Sequence, residues 1–340
     1  MRTFGRFVFL LLLVAAGAAY ALYGRMSTPY QGWTGSETFV EFPAGVGTRV
    51  IGDRLVAAGI VSDPLTFRAA LWQSGSARRL KAGEYRFDHP MTPAEVIEKM
   101  ARGDVYVINL TFPEGRTILE MAQIFEMHGF GPASAFVSAA ADASAVHDLD
   151  ASAGDLEGYL FPDTYPLSRH TEATKLVHLM VSRFDHALTP ERRAEAKARG
   201  LSTRALITLA SIVEKETGKA EERPEVAAVY ENRLRIGMGL QCDPTVIYAL
   251  EKAGRYTGNL RRDDLQMDSP YNTYRYPGLP PGPIASPGSA SIDAVLHPAD
   301  VDYLYFVSRN DGSHAFAKTL ADHNRNVQKY QVEYFRAKHH

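Results

Sequence analysis

The stretch LASIVEKETG, residues 209–218, places two carboxylates one residue apart in what otherwise reads as a buried helix. At about 100° per residue, Leu206, Leu209, Ala210, Val213 and Thr217 share one face, the core face, and Lys215 points away from it. Glu214 and Glu216 then fall about 80° to either side, roughly 200° apart, so they do not aim at one substrate atom. The helix surface around Glu216 is Ala205, Leu209 and Ile212, whereas Glu214 is flanked by Ala210, Ser211 and Ile207. Glu216 is therefore the drier carboxylate. Loss of hydration raises a carboxyl pKa, and a proton held near neutral pH suits a general acid. Glu214 is expected to pair with a basic or hydroxyl group that orients the helix. The ordinary fate of helical glutamates is a solvated rim, so the neighbouring segments decide whether these two are different.

Those segments are EGYLFPDTY (157–165), ENRLRIG (231–237), LQCDPTVIY (240–248) and SPYNTY (269–274). Tyrosines that stack on sugar faces, with Asn, Gln, Asp and Arg that hydrogen-bond hydroxyls, suit a glycan groove. The candidate substrate-binding or supporting residues are Glu157, Tyr159, Glu214, Asn232, Arg233, Gln241, Asp243, Thr245, Tyr271, Asn272 and Tyr274. The bland alternatives are that Tyr159 is a core aromatic with a wet hydroxyl and that Asp243 before Pro244 caps a turn. Helical patterns at 171–188, 191–199, 203–217 and 223–237 precede a segment dense in Tyr, Pro, Gly and Asn, and DYLYFVSR (302–309) reads as a strand. The loop YPGLPPGPIASPG (276–288) is too rich in Pro and Gly for regular structure and serves either a groove wall or a structural corner.

Toward the N-terminus, FPAGVGTRVIGDRLVAAGI (42–60) and FPEGRTILEMAQIFEMHGF (112–130) align without a gap at an offset of 70 residues. Phe42, Pro43, Gly45 and Gly59 recur as Phe112, Pro113, Gly115 and Gly129. Each copy reads as strand, turn, amphipathic helix and terminal glycine. The first continues through a helix near Pro64–Trp72 to a strand at 82–87. Duplication and two unrelated units sharing a turn both fit. Before the repeat, Arg2 and Arg6 precede an apolar run from Phe7 to Tyr23, just long enough to span a bilayer. A cleaved signal peptide is the alternative. The anchor is expected because Tyr20 and Tyr23 stand at the far interface and no distinct A-x-A site is present.

The chain has 340 residues, 45% of them hydrophobic, which is enough to bury a sizeable core in two or three domains. A net charge of −2 offers no basic field for phosphates, so nucleic acid is not an expected partner. The single cysteine, Cys242, excludes an intrachain disulfide and reads as a small hydrophobe rather than a nucleophile. No H-E-x-x-H or His/Cys cluster suggests a metal.

ASIVEKET (210–217), LQCDPTVIY, YNTY with GLPPGPIASPG, YLYFV, and His323–Asn324, in this order, resemble the endolytic murein transglycosylases, the YceG-like family. The resemblance implies an α+β chain: a cytoplasmic tip and membrane anchor (1–25, membrane-embedded through 7–23), a LysM-like module (38–105), a second strand–helix module (106–150) and a catalytic domain (155–335). It implies an inner-membrane protein with its C-terminal domain periplasmic, peptidoglycan glycan strands as substrate, wall synthases (penicillin-binding proteins) as partners, and no cofactor. The implied reaction cuts the MurNAc-β-1,4-GlcNAc bond to leave 1,6-anhydro ends, with Glu216 as the catalytic acid and base. One departure is Ser286, where the family often has Asn. A hydrolase would need a second carboxylate, for which Glu157 and Asp243 are candidates. A non-catalytic wall-binding scaffold is the remaining alternative.

Overall fold

The computed structural model describes residues 2–338, a mixture of helices and short antiparallel strand pairs with a long apolar helix at its start. By packing the chain forms two units, one comprising the residues up to Asn109 with Pro166–Arg169, the other Leu110–Tyr165 with the chain from His170 onward. The first unit contains helix α1 (Arg2–Ser27), strand β1 (Thr38–Phe42), α2 (Thr48–Ala57), α3 (Pro64–Ser74), β2 (Gly83–Phe87) and α4 (Pro93–Arg102). Within α1, Phe4–Ser27 is apolar and long enough to cross a membrane. Side-chain caps start two of the other helices. Asp63 accepts the Thr66 N–H at 2.9 Å ahead of α3, and Thr92 and Glu95 form a reciprocal capping box at α4. Strands β1 and β2 pair antiparallel with Val40 opposite Tyr85, and Phe42, Leu55, Ile60, Phe67, Tyr85, Phe87, Val96 and Met100 close the core between sheet and helices. Each such side chain contributes roughly 1.5–3 kcal/mol by leaving water.

The 70-residue repeat has a structural counterpart. Strand β3 (Ile108–Thr111) leads into α5 (Ile118–Met127), as β1 leads into α2. Gly45 and Gly115 have φ +83° and +75°, and Gly59 and Gly129 have +71° and +76°, a left-handed conformation that only glycine adopts cheaply. After each helix the chain turns back identically: Ile60 N–H bonds to the Leu55 carbonyl, and Phe130 N–H to that of Phe125. The second copy continues through α6 (Ala133–Ala140) to β4 (Thr164–Leu167), which pairs with β3 as β2 pairs with β1. The chain passes between the two units within β3 and β4.

The second unit adds α7 (Ala173–Ala187), α8 (Pro190–Ala198), α9 (Thr203–Glu216), α10 (Arg223–Arg235), α11 (Asp243–Lys252), α12 (Ser289–Leu296), the hairpin β5 (Tyr305–Ser308) with β6 (His314–Ala317), and α13 (Leu320–Val327). Helix α9 is its axis and packs on α8, α10, α11 and α12. Ser202 caps its start by accepting the Ala205 N–H at 3.1 Å. Every residue from Leu206 to Val213 is buried, so α9 is enclosed on all sides and the single core face read from its periodicity is too narrow. The helix stops at Glu216, because Thr217 turns extended and its hydroxyl donates to the Val213 carbonyl at 2.6 Å. The Pro/Gly loop is a structural corner against α9: buried Ser211 accepts the Ile284 N–H at 3.0 Å, and Arg204 donates to the Pro281 carbonyl at 2.6 Å. Ser286 keeps its backbone bonds to Gly115 and Arg116, and its buried hydroxyl has no hydrogen-bond partner.

Candidate active site

Glu216 occupies the last turn of α9, where the helix leaves the core and its side chain reaches the floor of a cleft of about 280 Å³. Tyr230 and Arg233 from α10 form one wall, Leu240 and Gln241 with Asp243 and Tyr274 a second, and Phe306 of β5 with His323 of α13 a third. The Cys242 thiol donates to Glu216 Oε1 at 3.1 Å. The Tyr230 hydroxyl, buried against both, is a second donor to the carboxylate. Burial pushes the Glu216 carboxyl above the usual range, opposed by the donors Cys242 and Tyr230 and reinforced by the Asp243 charge. The group is therefore suited to hold a proton and release it inside the cleft. Asp243 is held by the Tyr274 hydroxyl, which donates to Oδ1 at 2.6 Å. His323 stacks on Tyr305, its Nδ1 has no hydrogen-bond partner, and burial with the Arg233 charge lowers its pKa, so it is neutral at physiological pH.

Of the residues marked by sequence, Glu216, Arg233, Gln241, Asp243 and Tyr274 line this cleft. Thr245 and Asn272 stand behind it: the Thr245 hydroxyl donates to the Cys242 carbonyl at 2.7 Å, and the Asn272 amide donates to the Leu265 and Met267 carbonyls. Asn232 is turned away and donates to the Val301 and Tyr303 carbonyls. Tyr159 is a core residue whose hydroxyl bonds Asp150 at 2.5 Å and whose ring packs edge-on against Phe184, so no sugar reaches it. Tyr271 packs on Tyr248 and borders a different pocket, beside Arg204 and Glu157. Tyr230 carries no sequence signal beyond core-like patterning, and Leu240, Cys242 and Phe306 fall within the motifs LQCDPTVIY and YLYFV without being marked there as site residues. All four are placed at the site only by folding.

A model of the YceG-like family matches residues 40–329. The chain belongs to the YceG-like family. It is 31% identical to the endolytic murein transglycosylase of Bacillus subtilis over 92% of this chain and 90% of that protein. It is also 31% identical to the endolytic murein transglycosylase of Streptococcus pneumoniae, over 95% of this chain and 64% of that longer protein. The crystal structure of a YceG-like protein from Listeria monocytogenes superposes with a TM-score of 0.59 at 31% identity, covering 85% of this chain and 98% of that one.

In this YceG-like chain the two glutamates of α9 have different surroundings. Glu214 Oε2 accepts from the Gly288 N–H at 3.1 Å and the Ser291 hydroxyl at 2.7 Å, and Oε1 accepts from Arg223 at 3.2 Å. It therefore ties the end of α9 to the starts of α12 and α10, with its charge at a helix N-terminus. Glu214→Gln removes the charge opposite Arg223, which is itself mostly buried. The expected cost is about 1–3 kcal/mol, seen as a lower melting temperature in differential scanning calorimetry, with any fall in turnover tracking it. Full melting temperature with turnover abolished would make Glu214 a participant in the chemistry.

Glu157 lies apart from the cleft, in a more apolar cavity of about 230 Å³ bordered by Ile118, Leu119 and Val137. It accepts from the Ile118 N–H at 3.2 Å and the Tyr248 hydroxyl at 3.3 Å. Glu157 and Glu216 border different pockets, so Glu157 is not placed as a partner for Glu216 across one glycosidic bond. Burial, with Asp155, pushes its carboxyl up to about 8. The folded protein thus retains a proton that the unfolded chain releases in the ordinary carboxylate range, about 4.3. That contribution to stability is complete below the unfolded value and is lost as pH rises through about 8. Glu157→Gln is expected to flatten this decline and to melt higher than wild type at pH 9. Parallel melting curves across pH would contradict it.

Proposed function

We propose that this chain is an endolytic murein transglycosylase that cuts the MurNAc-β-1,4-GlcNAc bond within peptidoglycan strands and leaves 1,6-anhydroMurNAc ends. The observation that carries the reading is the Glu216 carboxyl at the cleft floor, with its raised pKa and the Cys242 thiol 3.1 Å from Oε1. Protonated Glu216 gives its proton to the departing glycosidic oxygen. As carboxylate it then takes the proton of the muramoyl C6 hydroxyl while that oxygen closes on C1. One residue serves both steps, and the nucleophile belongs to the substrate. Gln241, Tyr274 and neutral His323 are placed to hydrogen-bond sugar hydroxyls along the walls. The names of the Bacillus and Streptococcus relatives support the same reaction.

A hydrolytic muramidase is the second reading, favoured by Asp243 in the same cleft. The hydrogen bond from Tyr274 to its Oδ1 stabilises the carboxylate and weakens it as a base or nucleophile. Further parts of the proposal are that α1 anchors the protein in the inner membrane with the remainder periplasmic, that residues 38–105 form a LysM-like glycan-binding module, and that the anchored enzyme cuts nascent strands beside a synthase and so ends their elongation. Mass spectrometry of muropeptides released by the purified full chain tests the reaction, since anhydro and reducing ends differ by one water. Fractionation with the inner membrane and resistance to high salt test the anchor. Reducing ends in the first experiment, or a soluble periplasmic protein in the second, would refute the corresponding part.

A further inference from the structure

Several of the polar residues near the cleft never reach it, yet together they fix the position of one atom in its floor. Cys242 N–H donates to Thr273 Oγ1 at 3.0 Å, the Cys242 carbonyl accepts from Thr245 Oγ1 at 2.7 Å, and the two threonine hydroxyls bond each other at 2.9 Å. Asn272, beside Thr273, is pinned by two backbone carbonyls. Gln241, just before the cysteine, sits at φ +51° with its N–H on the Thr273 carbonyl at 3.3 Å. A left-handed conformation costs a non-glycine residue free energy and persists only where its surroundings impose it. The product of this scaffold is a thiol 3.1 Å from Glu216 Oε1.

We propose that Cys242 is a positioning residue for the general acid: its thiol marks Glu216 Oε1 as the accepting oxygen, leaves the transferable proton on Oε2, and binds weakly enough for the carboxyl to stay protonated. The inference rests on the role given to Glu216 above. A thiol is a weak donor, so it orients the carboxyl while stabilising the charged form little. A hydroxyl at the same place would stabilise the carboxylate more and make the acid give up its proton at lower pH. Burial pushes the thiol pKa up, so it remains a donor throughout the working range. The other titratable groups around Glu216 are Tyr230 and Arg233 of α10, Asp243 at the start of α11, Tyr274, His314 of β6 and His323 of α13. Of these Tyr230 is the second donor, Asp243 raises the carboxyl pKa and His314 lowers it.

The test compares full-length wild type, Cys242→Ser and Cys242→Ala by two readouts. In the pH profile of anhydro-end release, the alkaline limb reports loss of the Glu216 proton. Cys242→Ser should move that limb down by about half to one pH unit. Cys242→Ala should move it up by a similar amount while lowering the maximum rate about tenfold, because the carboxyl loses its orientation. Independently of turnover, the melting-temperature difference between each protein and its Glu216→Gln counterpart, followed across pH, traces the titration of Glu216 and should shift in the same opposite directions. Limbs and titrations that stay in place, or move the same way in both variants, overturn the proposal. If wild type yields no anhydro ends, the proposed function fails, and the melting series still decides the role of the thiol. If Cys242→Ala does not fold, Cys242→Ser, a one-atom change, decides alone: an unmoved titration overturns the proposal.

Discussion

Glu216→Gln is expected to lower the release of anhydro ends by about 10²- to 10⁴-fold, the range that a positioned acid and base contributes, while the protein folds normally. Glutamine keeps the shape and accepts the Cys242 and Tyr230 hydrogen bonds through its carbonyl, but it has no proton to give and no base to recover it. Stability should respond with a defined sign. Because burial raises the Glu216 carboxyl pKa in the folded state, the wild type gains from its bound proton at low pH and loses that gain as pH rises above the ordinary carboxylate range. The variant does not titrate there, so it should match wild type near pH 4 and melt higher near pH 8. Loss of activity together with gain of stability separates a chemical role from a structural one. Near wild-type turnover in the variant would remove Glu216 from the mechanism.

The second large effect belongs to Arg233. Its Nε donates to the Leu304 carbonyl at 2.7 Å and its Nη1 to the Leu240 carbonyl at 2.6 Å, and the guanidinium lies over Tyr305 at 5.5 Å from the ring centre. No carboxylate lies within ion-pair distance among the described residues. The charge is stabilised by backbone carbonyls and an aromatic face instead, and burial lowers its pKa. Sequence reading marks Arg233 as substrate-binding or supporting. The structure makes it the bolt between α10, the approach to β5 and the loop that carries Gln241 and Cys242. Arg233→Met strands these buried carbonyls and should cost about 3–5 kcal/mol, or roughly 10 °C in melting temperature for a unit of this size. Arg233→Lys restores the charge without the planar fork and should recover only part. An unchanged melting temperature with a raised KM for glycan would return Arg233 to the role that the sequence suggested.

What the sequence revealed and what it hid divide along the range of the interactions. The helix around Glu216 was legible because apolar residues recur through it at helical spacing, although Thr217, read as part of its core face, lies just beyond its end. The paired glycines of the repeat were legible because a left-handed turn selects glycine, and the same bonds close both copies. The raised pKa of Glu216 was readable from its helical neighbours, but Glu214, its side chain only 6% exposed, is not the wetter of the two. The contacts of Glu216 were not readable: motifs mark the segments of Cys242, Phe306 and His323, but these and Tyr230 come from four other segments, and no local periodicity encodes their convergence on Glu216. The same limit explains why the polar residues marked as substrate-binding or supporting were not divided between those two roles. Thr245, Asn272 and Asn232 have the chemistry to bind hydroxyls, but here they bind backbone carbonyls and a neighbouring hydroxyl. From sequence these uses look alike, since both require a short polar side chain in a loop or at a helix end. Tyr159 and Glu157 were misplaced for a related reason: the EGYLFPDTY segment runs through the core beside α9, while the cleft opens at that helix's far end.

The central claim is that the nucleophile is the substrate's own C6 hydroxyl, with Glu216 as the only protein group moving protons. Digestion of peptidoglycan by the full-length protein in water enriched in heavy oxygen tests it most directly. Intramolecular closure incorporates no solvent oxygen, so the new muramoyl ends should be anhydro and isotopically unlabelled. Reducing muramoyl ends in place of anhydro ends, carrying solvent oxygen, would show that water attacks C1 and that this account of the cleft is wrong.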